Sequence, residues 1–413
     1  MFCYEHCSSG FQITRDGKTN LKKRRSFTLS DLTHIQRIRQ EMPATTAHLY
    51  FNAGTFGPLP GCVLQAMQAH LQHEYSDGRI GPATWEIFSA IRDNARGSIA
   101  RLLNANADEI ALTDNTGEGM NIISYGINWR EGDEVITTNH EHHNALGPLY
   151  QIRERFGVVI RFADIGPVGD RPVLPVVTDL ITQRTRLIVL SHVLWTTGVT
   201  LNISEVCHMG REAGIPVLVD GAQSAGAIPV DVKALDVDFY AIPMQKWLCG
   251  PDGTGALYVR RESQNYVTPT YVGYISVKHE EGVEWELDDR AQRFEFSGRQ
   301  PASLAGEAAV LKWLEETVGY EWLFARISSL NAYAYSALKT VPGLSMLTPT
   351  PGASGLISFA LEGRDEKEVV KQLSEKHNIY IRSIPSLKSL RVSTGFYNTE
   401  EEVDTLVQAL KEV

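Results

Sequence analysis

Lys246 stands in Ala241-Ile242-Pro243-Met244-Gln245-Lys246-Trp247-Leu248-Cys249-Gly250-Pro251, at the end of an apolar run and just before a Gly-Pro turn. A lysine buried there must lose its proton, pair with an acid, or bond covalently to something. Twenty-six residues earlier Asp220 ends a second apolar run, Pro216-Val217-Leu218-Val219-Asp220, and Gln223 follows closely. This pair suits an aldehyde cofactor with a protonated ring nitrogen. The amine closes a Schiff base, and the carboxylate holds the ring proton and makes the ring a better electron sink. Gln223 would hydrogen-bond a phenolate oxygen. Taken singly, Lys246 reads as a solvated side chain and Asp220 as an ordinary helix cap. The spacing and the turns around both favour the chemical reading.

Three other groups bear on it. Thr113-Asp114-Asn115-Thr116-Gly117-Glu118-Gly119 lies between a strand and a helix. Its glycines allow a tight turn, and free N–H groups at a helix start attract an anion such as phosphate. Asn139-His140-Glu141-His142-His143-Asn144 suggests a metal at first sight, but the HExxH spacing is absent. A histidine there can instead stack on a flat ring, or the segment is only a polar loop. Arg382 and Arg391 each sit in or beside a strand pattern. Their forked donors fit a substrate carboxylate, and each alone would read as an ion-pair partner.

The elements that must position these residues alternate. Strand-length apolar runs fall at 109–113, 134–138, 158–162, 186–190, 216–220, 239–242 and 255–259, with helical patterns between several of them. That grammar predicts a mainly parallel sheet with helices on both faces, which binds ligands beyond the carboxyl ends of its strands. After residue 300 the texture changes: a long helical stretch over 304–338, strands at 356–361, 379–383 and 390–393, and helices at 366–376 and 400–411. A helix is also expected from Ser30 to Met42, and a short strand at 49–54.

Composition sets outer bounds. The 413 residues carry a net charge of −10, with 43% apolar and 21% charged residues, which suits a globular enzyme and disfavours nucleic acid as the main partner. Cysteines at 3, 7, 62, 207 and 249 have no metal or redox spacing and read as free thiols of the cytoplasm. No apolar run reaches the roughly 18 residues that span a bilayer, and the first residues lack the apolar core of a secretory signal. Neither metal nor membrane is expected.

In this order the motifs resemble the class V branch of the pyridoxal-phosphate (PLP) enzymes of fold type I. That branch includes cysteine desulfurases, selenocysteine lyases, isopenicillin-N-epimerase-like proteins and cystine C–S lyases. The most specific stretch runs from Val219-Asp220-Gly221-Ala222-Gln223 through Lys246-Trp247 to Gly250-Pro251. Ser191-His192-Val193-Leu194-Trp195, residues 268–274 and Arg293-Phe294-Glu295 look nearest to the C–S lyases. The resemblance implies an α/β fold of seven mainly parallel strands plus a smaller C-terminal α+β domain. It divides the chain into a polar extension at 1–25, a helical segment at 26–48 packing on the small domain, a large PLP-binding domain at 49–295 and the small domain at 296–413. It implies Lys246 as the Schiff-base lysine, Asp220 as the pyridinium partner, Gln223 at the phenolate and His142 stacked on the ring. Thr116, Gly117 and Glu118 would cradle the phosphate, helped by Gln245. Arg391 and Arg382, with Ala53 and Gly54, would hold an amino-acid substrate, in a homodimer with its sites at the interface.

Three departures narrow the reaction. Gln245 stands where the family usually has His, and Pro243, without hydroxyl or N–H, where it often has Ser or Thr. Ser297 or Arg299 takes the place of a phosphate-binding Thr from the neighbouring subunit. No cysteine follows Cys249, so the C-terminal loop thiol that takes sulfur in a desulfurase is missing. The expectation is a C–S lyase of cysteine, cystine or a related sulfur or selenium amino acid. Transamination, epimerisation, a desulfurase without the loop cysteine, and a catalytically silent PLP-fold binding protein are the alternatives.

Overall fold

The computed structural model describes residues 29–281 and 283–413; the extension at 1–25 lies outside the described residues. A seven-stranded sheet holds Ile110–Thr113, Gly255–Val259, Phe239–Pro243, Val217–Asp220, Thr185–Ser191, Glu134–Thr138 and Val159–Ala163 in that spatial order. Only Gly255–Val259 runs against its neighbours; the other pairings are parallel. The inner strands are buried almost throughout because helices cover both faces. Alternate residues divide between two cores: Ile188, Leu190, Val217 and Val219 enter one, and Leu187, Val189 and Leu218 the other. The first core takes Ile99, Val206 and Val310 from the helices Pro82–Leu103, Ile203–Ala213 and Pro301–Trp313. The second takes Ile123 and Leu149 from Thr116–Gly126 and His143–Phe156.

A smaller unit follows. Its antiparallel strands Leu344–Met346, Leu356–Leu361, Ser389–Ser393 and Arg382–Ile384 lie in that order. The helices Tyr320–Leu338, Glu366–His377 and Glu400–Glu412 close a third core over Ile357, Phe359, Leu390 and Val392. The chain at 49–57 links the two units. Leu49–Tyr50 pairs in parallel with Ile379–Tyr380, and Ser393 donates its N–H to Phe51 O at 2.9 Å. A few residues on, Gly57 donates to Gln245 O at 2.7 Å, beside Lys246. The N-terminal helix Leu29–Glu41 meets the C-terminal third, where Trp322 Nε1 donates to Asp31 at 3.1 Å and Arg39 pairs with Glu402 at 2.8 Å.

The structure corrects two local expectations and adds one element the sequence did not suggest. The helix expected over 304–338 is two helices, Pro301–Trp313 and Tyr320–Leu338, separated by a wide turn at Leu314–Val318 and by Gly319 at φ +81°. A positive φ stops helix propagation, and the apolar pattern runs on across the break because both helices bury a face. The strand expected at 379–383 is two short strands that pair with different partners, Ile379–Tyr380 with Leu49–Tyr50 and Arg382–Ile384 with Ser389–Ser393. An outer hairpin, Val277–Glu281 with Glu284–Leu287, has too little buried apolar surface to show in the pattern.

Candidate active site

The carboxyl ends of the parallel strands supply the reactive groups. Asp220 ends its strand with 4% of its surface exposed and accepts a 2.8 Å hydrogen bond from Ala222 N. Burial raises its carboxyl, while Lys246 and the Ala222 N–H pull it back. Lys246 follows the neighbouring strand Phe239–Pro243 and forms no ion pair among the described residues. Burial pushes its ammonium down to about 8, against the pull of Asp220 and with the push of Arg391 and Arg382. A lysine so placed holds a sizeable fraction of neutral, nucleophilic amine near neutrality.

His142 caps the helix His143–Phe156, its Nδ1 accepting from Asn144 N at 3.2 Å. Burial, and the charges of Lys246, His143 and the two arginines, push it down to about 4, so the ring is neutral. It meets Trp195 edge to face with centroids 5.2 Å apart. His140 turns elsewhere, its Nε2 reaching Gly166 O at 2.6 Å, and the His143 ring lies beside that of His142, centroids 6.1 Å apart. Gln223 is pinned at both ends. Its Nε2 donates to Gly54 O at 2.8 Å, and its Oε1 accepts from Trp247 Nε1 at 2.9 Å, leaving one amide hydrogen free. Gly54 is needed for that approach, because an added Cβ would lie 3.0 Å from Gln223 Oε1, Leu356 Cδ2 and Ser393 Oγ. Ala53 beside it is buried.

Two helix starts converge at the anion end. A Cβ on Gly117 would meet Asn115 Oδ1 at 3.0 Å and Asn144 Nδ2 at 3.1 Å, so the bare backbone is what leaves room there. Thr116 Oγ1 is buried without a partner among the described residues, as is Gln245 Oε1. A cavity of about 830 Å³ opens over Asn115, Gly117, Glu118, Asn144 and Gln245. Glu118 differs from the cradle role. Its N–H is taken by Asn115 Oδ1 at 3.0 Å, and its carboxylate accepts from Asp114 N at 2.5 Å and Arg299 at 2.6 Å. Those acids also occupy Arg299 within its own chain. Ser297 is half-buried nearby on the same segment.

Arg382 and Arg391 face each other in register on adjacent antiparallel strands. Like charges directly opposite repel, yet neither pairs with an acid among the described residues. Both donate to one hydroxyl, Thr55 Oγ1, at 3.2 and 3.3 Å, and Arg391 also donates to Trp195 O at 2.6 Å. Arg382 lies over the Trp195 ring, 5.7 Å from its centroid. Arg391 is fully buried, its Nε lacks a partner among the described residues, and its guanidinium is pushed down to about 9. A site with this much uncompensated positive charge needs an anion.

Thr55, Trp195 and Asn144 complete the site, and no role for them was legible in the sequence. A lone threonine or asparagine carries no periodic signal, and Trp195 stands in a stretch that resembles the C–S lyases without a role of its own being readable there. The Thr116 hydroxyl, without a partner among the described residues, the open Gly117 backbone and the Asp220–Lys246 pair together fit a flat ring with a phosphate tail; Gln245 fits once its amide is turned so that Nε2 donates. Pro243 ends its strand opposite Gly255 and adds no donor.

Known proteins agree with this geometry. The profile of the family "Aminotransferase class-V" matches residues 48–406. A probable cysteine desulfurase of Methanothermobacter thermautotrophicus is 30% identical over 394 residues, covering 91% of this chain and 97% of that one. A cysteine desulfurase of Haloferax volcanii is 32% identical over 343 residues, covering 78% and 79%. Among solved structures, the cystine C–S lyase C-DES in complex with its product cysteine persulfide superposes with a TM-score of 0.86 at 29% identity, over 90% of this chain and 99% of that one. The cysteine desulfurase CsdA from Escherichia coli gives 0.81 at 27%, over 92% and 98%. With its seven-stranded sheet, its strand-end Asp220 and Lys246, and a family match across most of its length, the chain belongs to the class-V aminotransferase family and has the PLP fold type I.

Proposed function

We propose that this chain is a PLP-dependent C–S lyase that removes the β-sulfur of cysteine, cystine or a related amino acid. The observation that carries the reading is the Arg382–Arg391 pair beside Lys246 and Asp220, with Arg391 buried, Arg382 half-buried and no acid paired to either among the described residues. It is a carboxylate receptor placed against an amine tuned for proton transfer. The C–S lyase and desulfurases above favour sulfur chemistry, and the absence of any cysteine after Cys249 favours release of sulfur over transfer to a loop thiol.

Lys246 would hold the cofactor, with Asp220 at the ring nitrogen, His142 on the ring face, Gln223 at the phenolate, and Thr116, Gly117 and Gln245 at the phosphate. When bound, PLP supplies an electron sink for the charge left at the substrate Cα. Arg391 binds the substrate carboxylate, with Arg382 as the second cation. The Lys246 amine, once free, takes the Cα proton at Nζ; its lowered pKa suits both taking and returning that proton. Asp220, as carboxylate, holds the proton on the ring nitrogen. Neutral His142 adds no positive charge beside the two arginines. Loss of the β-sulfur then leads to pyruvate and ammonia.

The protein works as a homodimer. Leu64, Leu71 and Tyr75 lie exposed on one face of the helix Gly61–Asp77, and Ile80, Trp85, Tyr271 and Tyr274 are exposed as well, apolar side chains that a second copy would cover. No helix among the described residues is long and apolar enough to cross a membrane; the chain works in the cytoplasm.

The test is incubation of PLP-loaded protein with cystine and cysteine, assaying pyruvate and released sulfide or persulfide. Pyruvate formation from a β-substituted amino acid supports the lyase. Accumulation of an aminated cofactor without pyruvate refutes it in favour of transamination.

A further inference from the structure

Glu141 is a buried acid at the carboxyl edge of the sheet to which the proposed chemistry gives no role. It precedes His142, and 5% of its surface is exposed. Its Oε1 lies 2.6 Å from Thr138 Oγ1 and its Oε2 lies 2.5 Å from Ser191 Oγ, both within hydrogen-bonding distance. Thr138 and Ser191 end neighbouring strands, and Ser191 stands in register with Asp220 on the next strand. Thr138 Oγ1 also accepts from His140 N at 3.2 Å. One carboxyl therefore joins two strand ends and closes the turn from Thr138 to His142.

Glu134 provides a contrast. It too is buried, at the other end of the same strand, but Arg161 and Arg184 pair with it at 2.6 and 3.1 Å. The Arg161 hydrogen bond, above all, holds its carboxyl down at about 2. That is how this fold keeps a structural acid ionised. Glu141 forms no ion pair among the described residues. Burial pushes it up to about 7, and the nearby Asp220 carboxyl adds to the rise. With a proton on the acid, one of its two contacts reverses and the acid donates to that hydroxyl.

We propose that Glu141 is a positioning residue: its carboxyl clasps Thr138 and Ser191 and so fixes the turn that presents the His142 ring to the cofactor. This rests on the PLP reading above. It assigns Glu141 no contact with substrate or cofactor; its effect passes through His142.

The test is a double-mutant cycle read as the dissociation constant of PLP for the apoprotein, measured by equilibrium dialysis. Glu141→Ala and His142→Ala should each weaken PLP about tenfold, the scale of one aromatic contact. The double variant should stay within about twofold of the worse single one, because both remove the same stacking. Glu141→Gln, which supplies one acceptor and one donor to the two hydroxyls, should remain within about threefold of wild type. A roughly hundredfold loss in the double variant, or a Gln variant as weak as the Ala variant, overturns the proposal. If Glu141→Ala does not fold, the same cycle with Ser191→Ala decides it, and additivity with His142→Ala again overturns it. A wild-type apoprotein that takes up no PLP refutes the cofactor reading itself; a wild type that binds PLP with an additive cycle refutes only the role of Glu141.

Discussion

Replacing Arg391 with methionine should make the apoprotein more stable and the enzyme worse. Burial, and then Arg382, push the Arg391 guanidinium down to about 9, from a usual value above about 12. At about 1.4 kcal/mol per pKa unit, that corresponds to roughly 4 kcal/mol of strain in keeping the charge without an anion. Methionine keeps much of the stem packing but gives up the 2.6 Å bond to Trp195 O and the longer one to Thr55. That loss offsets about 1–2 kcal/mol. The net expectation is a gain of about 2 kcal/mol in urea unfolding of the apoprotein. Two charge-assisted bonds to a substrate carboxylate would go at the same time, and a loss of about 3 kcal/mol raises KM more than a hundredfold. Substrate amino acids should then stabilise the wild type and not the variant. The reasoning fails if the variant apoprotein is less stable by more than about 1 kcal/mol while KM changes less than threefold. Arg391 would then be part of the scaffold rather than a receptor.

Lys246→Ala should abolish the visible band of covalently held PLP and all pyruvate release; a surviving band would show another residue holding the cofactor. With the Lys246 amine pushed down to about 8, PLP capture by the apoprotein should speed up as pH rises through about 8 and level off above it, because only the neutral amine attacks. A rate that is flat from pH 6 to 10 would contradict the lowered value. Gly54→Ala drives a methyl to 3.0 Å from three side-chain atoms, including Gln223 Oε1. Its expected cost is about 1–3 kcal/mol with weakened PLP binding, and an unchanged melt would mean the 49–57 strap is loose. The Glu141 carboxyl, pushed up to about 7 from about 4.5, favours folding fully below pH 4.5, and that contribution is lost as pH rises through 7. Glu141→Gln should therefore gain stability on wild type across that interval, on the order of 3 kcal/mol; a pH-independent difference would show that the acid is ionised throughout.

What could be read without coordinates depended on the range of the signal. The runs at 134–138 and 255–259 match their strands at both ends, because turn residues precede a short run rich in β-branched and apolar side chains in each. The long helix over 304–338 misled because burial on both sides of Gly319 imitates one helical period. Among the site residues, Lys246 and Asp220 stood out because a charge at the end of an apolar run has few stable fates. Glu118 was misleading in the opposite way: its place in a Gly-rich turn suggests an anion cradle, but its own carboxylate is taken up by Arg299 and Asp114 N.

The sequence by itself determined the sheet, the chemical pair at its edge and the lack of a cysteine after 249, since each follows from residue types within one local run or from a simple count. Only the tertiary structure decided that Arg382 and Arg391 share Thr55 across adjacent strands. The same holds for Gln223, pinned between Gly54 and Trp247, and for Glu141, which clasps two strand ends. Those contacts join side chains up to 336 residues apart, and a contact at that separation leaves no periodic trace in the chain; it exists only once the sheet and the small unit have packed around it.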